Sequence, residues 1–161
     1  MQRRRLSWDE LFMKMAETLG ERTSCVVLQV GCVFVDDMKR IVSVGYNGAP
    51  RGEVNCDAVG CAKQQCDPQS GKPGKCRGMH AEINAMINCI QPERLRGTTI
   101  YTTVFPCYNC MKALVQAGVQ VIVYRDEYLR VVDAETREPE DEAKELAVRQ
   151  GIKLQQYSRS K

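Results

Sequence analysis

The sequence predicts an α/β fold: one mixed sheet of about five strands covered by helices on both faces, a three-layer α/β/α sandwich. Three observations lead there. Helical and strand periodicities alternate along the chain in the order α-β-β-α-β-α-β-α-β. The strand candidates are short, rich in Val, Ile and Thr, and bounded by turn residues. A chain of 161 residues is most simply a single domain, residues 1–161, large enough to bury about two thirds of its unfolded surface.

Ser7-Trp8-Asp9-Glu10 has the form of a capping box, with Ser at the cap and Glu three residues on. Leu11, Phe12, Met15 and Leu19 then recur at helical spacing and Gly20 can end the run, so residues 8–20 are read as a covering helix with Trp8 packed on the domain. Val26 to Val35 is β-rich, Asp36-Asp37 is a turn signal, and Arg40 to Val44 makes a second strand, together a hairpin. Gly45-Tyr46-Asn47-Gly48-Ala49-Pro50-Arg51-Gly52 breaks regular structure with three glycines and a proline; such a loop exposes backbone N–H groups and lets a ligand come close.

Residues 53–78 form a cysteine-rich insert without a clear period. An irregular stretch of that length is uncommon unless something pins it. Next comes a helix over 79–90, whose Ile83, Met86, Ile87 and Ile90 share one face and whose Cys89 packs as a small apolar residue. Thr98 to Val104 is a buried strand. Pro106 stands in the first turn of a helix running to Ala117, with Gly118 as its stop. Val119 to Tyr124 is a strand, 138–150 an amphipathic helix stopped by Gly151, and Ile152 to Gln156 closes the sheet.

Hydrophobic content of 43% and charged content of 27% are ordinary for a soluble globular protein. The basic excess is small, 23 Lys and Arg against 20 Asp and Glu, and Arg3-Arg4-Arg5 reads as a solvated tail over residues 1–6. That balance argues against a polynucleotide partner and leaves room for a small anionic substrate. No apolar run approaches the ~18 residues of a membrane span. No apolar region follows the N-terminal arginines, so no secretory signal is expected. Of nine cysteines, four fall within Cys56 to Cys76. Clustered thiols without export read as metal ligands in a reducing, cytoplasmic setting.

The chemistry concentrates between Met79 and Cys110. His80-Ala81-Glu82 opens one helix and Pro106-Cys107-Tyr108-Asn109-Cys110 the next; His80 is the only histidine. His-x-Glu followed by Pro-Cys-x-x-Cys is the signature of zinc-dependent nucleobase deaminases. A catalytic zinc takes three protein ligands and one open position; His80, Cys107 and Cys110 supply three. Cys107 and Cys110 meet on one helix face, where the dipole favours thiolate. Glu82 stays free to move protons during attack on C4 of a cytosine by zinc-bound hydroxide. A lone Cys-x-x-Cys is equally a redox pair or half of a structural zinc site. Cys56, Cys61, Cys66 and Cys76 are candidates for a second, thiolate-rich zinc whose charge Lys63, Lys72, Lys75 and Arg77 would offset.

Beyond the signature, Thr23-Ser24-Cys25, Val30-Gly31-Cys32-Val33, Gly45-Tyr46-Asn47-Gly48-Ala49-Pro50, His80-Ala81-Glu82-Ile83-Asn84-Ala85 and Tyr101-Thr102-Thr103-Val104-Phe105-Pro106-Cys107 resemble the deoxycytidylate (dCMP) deaminase family, including the late-competence deaminases, over residues 8–157. The resemblance implies the cytidine-deaminase sandwich and zinc held by His80, Cys107 and Cys110. It implies conversion of dCMP to dUMP and ammonia, feeding thymidylate synthesis, with Glu82 as proton shuttle. Asn47, Ala81 and Phe105 would meet the substrate. Arg22 and Arg51 are candidates for its phosphate, since a monophosphate favours a bidentate guanidinium.

The resemblance further implies activation by dCTP and inhibition by dTTP at the loop carrying Gly45, Tyr46 and Gly48, with Mg2+ accompanying a triphosphate effector, and a homo-oligomer of two to six subunits. A second zinc would fall to Cys25, Cys56, Cys61 and Cys76, with Cys66 as alternate. No membrane partner is implied. Two other readings compete: a tRNA adenosine deaminase or another cytosine nucleoside or nucleotide deaminase, which shares the zinc signature, and a zinc-scaffolded interaction module, which leaves Glu82 unused.

Overall fold

The computed structural model describes residues 4–65, 69–131 and 137–158. Helix α1 (Trp8–Gly20) begins at the predicted capping box: Ser7 Oγ accepts from Glu10 N–H and the Glu10 carboxylate accepts from Ser7 N–H. Strands β1 (Gly31–Val35) and β2 (Ile41–Tyr46) follow as an antiparallel hairpin. The insert contributes a short helix α2 (Cys56–Val59) and a 3-10 turn at Ala62–Gln64. Then come α3 (Ala81–Ile87), a 3-10 turn at Pro92–Leu95, β3 (Thr99–Val104), α4 (Tyr108–Ala117) and β4 (Val121–Asp126). The C-terminal part holds β5 (Leu129–Val131), β6 (Arg137–Pro139), α5 (Asp141–Arg149) and β7 (Lys153–Gln156).

Five strands form one mixed sheet in the order β2-β1-β3-β4-β7. β1 runs antiparallel to both its neighbours, whereas β3, β4 and β7 are mutually parallel. The side-chain alternation of strands divides the core in two. Cys32, Phe34, Ile100, Ile122 and Tyr124 face α3, α4 and α5; Val33, Val35, Tyr101 and Val123 face α1. This is the predicted sandwich.

Two close approaches fix the layers. A Cβ on Gly31 would stand 2.1 Å from Ala16 O of α1, and one on Gly45 would stand 2.3 Å from Ala81 O of α3. Gly45, in β2, is therefore where α3 crosses the sheet with backbone almost on backbone. Small residues on the helix complete the fit: Ala81 and Ala85 are fully buried.

Several expectations need correction. The strand expected over 26–35 begins only at Gly31, and Val26, Val27 and Leu28 are exposed. Asn47 occupies the backbone groups there: its Oδ1 accepts from Val30 N–H at 2.9 Å and its Nδ2 donates to Leu28 O at 2.7 Å. The helix expected over 79–90 ends at Ile87, and Ile87 and Ile90 are 66% and 96% exposed. Its buried residues are Ala81 and Ala85, small enough for the crossing at Gly45, and Glu82, which turns toward His80 and the two cysteines. Pro106 precedes the helix that it was expected to enter, since Cys107 is the N-cap. The helix expected over 138–150 begins only at Asp141: residues 138–139 belong to β6, which pairs with β5 in a separate two-stranded ribbon. Trp8 stacks on Phe12 at 5.6 Å but stays 47% exposed. Arg4 of the basic tail is paired with Glu10 rather than simply solvated.

Candidate active site

His80 and Cys107 hold equivalent positions in two helices. Each is the N-cap residue in extended conformation, His80 at φ −75°, ψ 153° and Cys107 at φ −65°, ψ 165°, and neither side chain caps its own helix. Because an N-cap side chain lies outside the helical spiral, both project beyond the helix ends. His80 Nδ1 stands 3.3 Å from Cys107 Sγ and 3.3 Å from Cys110 Sγ. Three helical positions on from the cap, Cys110 brings its sulfur back to the same point. All three ligand atoms lie within 4.8 Å of one another.

The approach to His80 is held by the glycine-rich loop. Gly48 and Met79 exchange two backbone hydrogen bonds, Met79 N–H to Gly48 O at 2.8 Å and Gly48 N–H to Met79 O at 3.2 Å. Asn84 Nδ2 donates to Tyr46 O at 2.9 Å. The loop thus fixes the backbone one residue before the imidazole.

Glu82 is 4% exposed, beneath the imidazole and the sulfurs. Burial pushes its carboxyl up, opposed by its own backbone N–H, the nearby His80 and the Cys110 thiol. The two sulfurs influence each other's ionisation in opposite directions. Cys107 is lowered by the Cys110 thiol and His80, while the hydrogen bond to Cys107 together with burial pushes Cys110 upward. His80 in turn is raised by its bond to Cys107. One neutral-capable imidazole, one thiolate and one thiol that deprotonates on metal binding form the donor set that tetrahedral zinc takes. The residues fit the ion, with Glu82 left unligated.

Two residues at the site carried no sequence signal. Tyr128 is half-buried, and burial plus the charge of Cys107, Glu140 and Cys110 pushes its phenol up. Glu140, 8% exposed, accepts Tyr108 N–H with Oε1 at 2.9 Å. Tyr128 stands between the strand read over 119–124 and the helix read over 138–150, and Glu140 stands in the first turn of that predicted helix, with no motif marking either.

The other candidate ligands form no such group among the described residues. Cys56 and Cys61 are buried, Cys25 is half-buried and Cys76 is exposed; among the described residues no trio of these thiols converges as the catalytic group does. Arg77 Nη1 instead donates toward Cys56 Sγ at 3.9 Å and to Gly60 O at 3.0 Å. Cys66 lies outside the described residues. Ala81 is fully buried and Phe105 is 1% exposed, its ring edge-on to Tyr124 at 4.8 Å. Arg22 and Arg51 are exposed. Gly45, Tyr46, Gly48 and Arg51 border a groove of about 1050 Å3 along the free edge of β2 and the end of α3; its lining includes none of His80, Glu82, Cys107 and Cys110.

A sheet that aims two helix N-termini at one point, with one imidazole, two sulfurs and a buried carboxyl beside them, defines a protein with a donor set for a metal ion. Residues 6–126 match the cytidine and deoxycytidylate deaminase zinc-binding region, and the chain belongs to that family. It is 37% identical to the deoxycytidylate deaminase of Mycobacterium phage D29, covering 76% of this chain and 98% of that one. It is 33% identical to the deoxycytidylate deaminase of Schizosaccharomyces pombe over 95% of this chain, of which it spans only 45%. For the Saccharomyces cerevisiae deoxycytidylate deaminase the span is 39%, so the chain covers less than half of either yeast relative. Among solved structures, the dCMP deaminase of cyanophage S-TIM5 in its apo form superposes with a TM-score of 0.64 at 27% identity, covering 92% of this chain and 96% of that one. Its complex with dCMP and dUMP superposes at 0.67 and 24% identity, covering 96% of this chain and all of that one, and shows the shared fold.

Proposed function

We propose that this protein deaminates dCMP hydrolytically to dUMP and ammonia. The observation that carries the reading is the convergence of His80 Nδ1 with the Cys107 and Cys110 sulfurs beside a buried, unligated Glu82. The cytosine nucleotide, rather than another base, follows from relatives such as the phage D29 deoxycytidylate deaminase, matched along 98% of its length.

Zinc at these ligands would supply a Lewis acid that makes water nucleophilic near neutral pH. The protein's own residues do the rest. His80, Cys107 and Cys110 hold the ion. Glu82, with its carboxyl raised by burial, takes the proton of the attacking water and passes it to N3 of the ring, then takes the proton of the new hydroxyl on C4 and gives it to the departing amine. Asn47, Ala81 and Phe105 line the base and sugar side in this reading, and Arg22 or Arg51 meets the phosphate. The groove bordered by Gly45, Tyr46 and Gly48 supports a dCTP or dTTP effector site, with Mg2+ alongside a triphosphate. A homo-oligomer, a cytoplasmic setting and a second zinc in the cysteine-rich insert complete the proposal.

The decisive assay offers cytosine nucleosides and their mono-, di- and triphosphates, together with a tRNA, and measures ammonia release. dCMP should give the highest kcat/KM. Glu82→Gln should keep its zinc and lose turnover by at least about a hundredfold. Ammonia from none of these substrates, with zinc bound, would refute the enzyme reading.

A further inference from the structure

Glu140 ends the β5–β6 ribbon and opens α5, yet its carboxylate is spent on another helix. Oε1 accepts the N–H of Tyr108, the first residue of α4 and the one after Cys107. Oε2 is buried and, among the described residues, has no hydrogen-bond partner. The neighbouring Lys144 does not neutralise it: Lys144 Nζ pairs with Glu127 at 2.9 Å and lies 5.6 Å from the centre of the Phe105 ring. A buried carboxylate needs compensating partners, and here one of them is the first N–H of a ten-residue helix. Charge at that helix end is favoured by the dipole. The bond also fixes the Cys107–Tyr108 peptide, whose orientation decides where the Cys107 sulfur points. α4 needs such a bond because the Cys107 side chain, turned toward His80, does not cap it.

We propose that Glu140 is a positioning residue of the metal centre, holding Cys107 opposite His80 through the Tyr108 N–H. The inference rests on the zinc reading of the site. Residues that orient metal ligands without touching the ion typically matter tenfold to a hundredfold in affinity.

Position 108 allows a backbone test. It is the first helical position, where proline is tolerated, and the extended conformation of Cys107 suits a following proline. Tyr108→Pro removes only the donor that Glu140 accepts, together with the ring. Tyr108→Ala removes the ring and keeps the donor. Zinc affinity is measured on the full chain by competition with a chromophoric chelator, alongside thiolate-to-metal absorption of the Co2+-loaded protein. Glu140→Ala and Tyr108→Pro should each bind zinc at least about tenfold more weakly with altered Co2+ spectra. Tyr108→Ala should match the parent, and Glu140→Gln, whose amide oxygen can accept the same bond, should recover most of the loss. If Glu140→Ala does not fold, Tyr108→Pro against Tyr108→Ala decides. Parent-like affinity and spectra in Tyr108→Pro, or an equal loss in Tyr108→Ala, would overturn the proposal. Failure of the parent chain itself to bind zinc would instead remove the metal reading.

Discussion

His80 and Cys107 are the N-caps of two helices that point at each other, their Nδ1 and Sγ atoms 3.3 Å apart with neither capping its own helix. Each helix gives up a local hydrogen bond so that its first side chain can reach across. An ion held by the two side chains would offset that loss in another way, since a ligand bound only by the folded state stabilises it by mass action. Chelation should therefore lower thermal stability as well as activity. At zinc a thousandfold above Kd the linkage is worth about 4 kcal/mol, roughly 10 °C for a chain of this size. Scanning calorimetry with and without a strong chelator, followed by added zinc, measures it. An unchanged Tm would contradict the shared-ligand geometry.

Gly45→Ala should damage the same site from the strand beneath α3. The added Cβ would fall 2.3 Å from Ala81 O and 2.6 Å from Ala85 N, so α3 must lift and carry His80 and Glu82 with it. Overpacking of this kind costs about 1–3 kcal/mol. Both Tm and the zinc retained through dialysis should fall. A variant that keeps both would show that α3 tolerates the displacement.

The signature residues were legible because their chemistry depends on sequence spacing at helix starts, which the fold preserves. His80 and Glu82 diverge within a helix, and share one point only because His80 is a cap and not a helical residue. The sheet and its layers followed from periodicity. What escaped is what depends on other segments. Val26, Val27 and Leu28 have strand composition, but Asn47 takes the hydrogen bonds of Leu28 and Val30 that a further ladder would need. Ile87 and Ile90 have the spacing of a buried face, but the crossing at Gly45 admits only alanines beside Glu82. Glu140 is one acid among several in a polar stretch, and nothing local tells it from those facing water.

Asp9 ties α1 to the far edge of the sheet. Its Oδ1 accepts from Tyr101 OH at 2.7 Å and its Oδ2 from Gln155 Nε2 at 3.1 Å. Tyr101 is 2% exposed, so Asp9→Ala leaves a buried hydroxyl unpaired, at a cost of about 1–3 kcal/mol. Tyr101→Phe removes that hydroxyl and should cost less, about 1 kcal/mol. The double variant should then be no less stable than Asp9→Ala alone. Denaturant titrations of the three variants check the order.

Asp36 gives a pH dependence with a defined sign. Burial raises its carboxyl, but bonds from Arg40 N–H at 2.9 Å, Arg40 Nε at 2.8 Å and Arg94 Nη2 at 3.2 Å outweigh it and leave the pKa below the ordinary value. A carboxyl lowered in the folded state stabilises fully above its unfolded pKa of about 4 and loses that contribution as pH falls through the lower folded value. Asp36→Asn should melt earlier than the parent at neutral pH. The gap should close below about pH 3. A gap that persists in acid would assign the effect to turn geometry and not to charge.

Asn47 separates a scaffold role from a substrate role. Its amide is committed at both ends, Oδ1 to Val30 N–H and Nδ2 to Leu28 O, and its backbone N–H donates to Val30 O at 3.1 Å. Asn47→Asp keeps the acceptor for Val30 but sets a carboxylate oxygen against Leu28 O, two acceptors with no proton between them. Asn47→Ala removes both bonds without that repulsion. If the side chain mainly holds the 28–30 segment, the Asp variant should be the less stable of the two by about 1–2 kcal/mol at neutral pH. It should also show the faster amide exchange at Val30. If Asn47 also meets the substrate sugar, both variants should raise KM for dCMP beyond what their stability loss explains, and adding zinc should not restore it. Equal stability in the two variants, with only KM changed, would place Asn47 with the substrate and leave residues 28–30 held by other contacts.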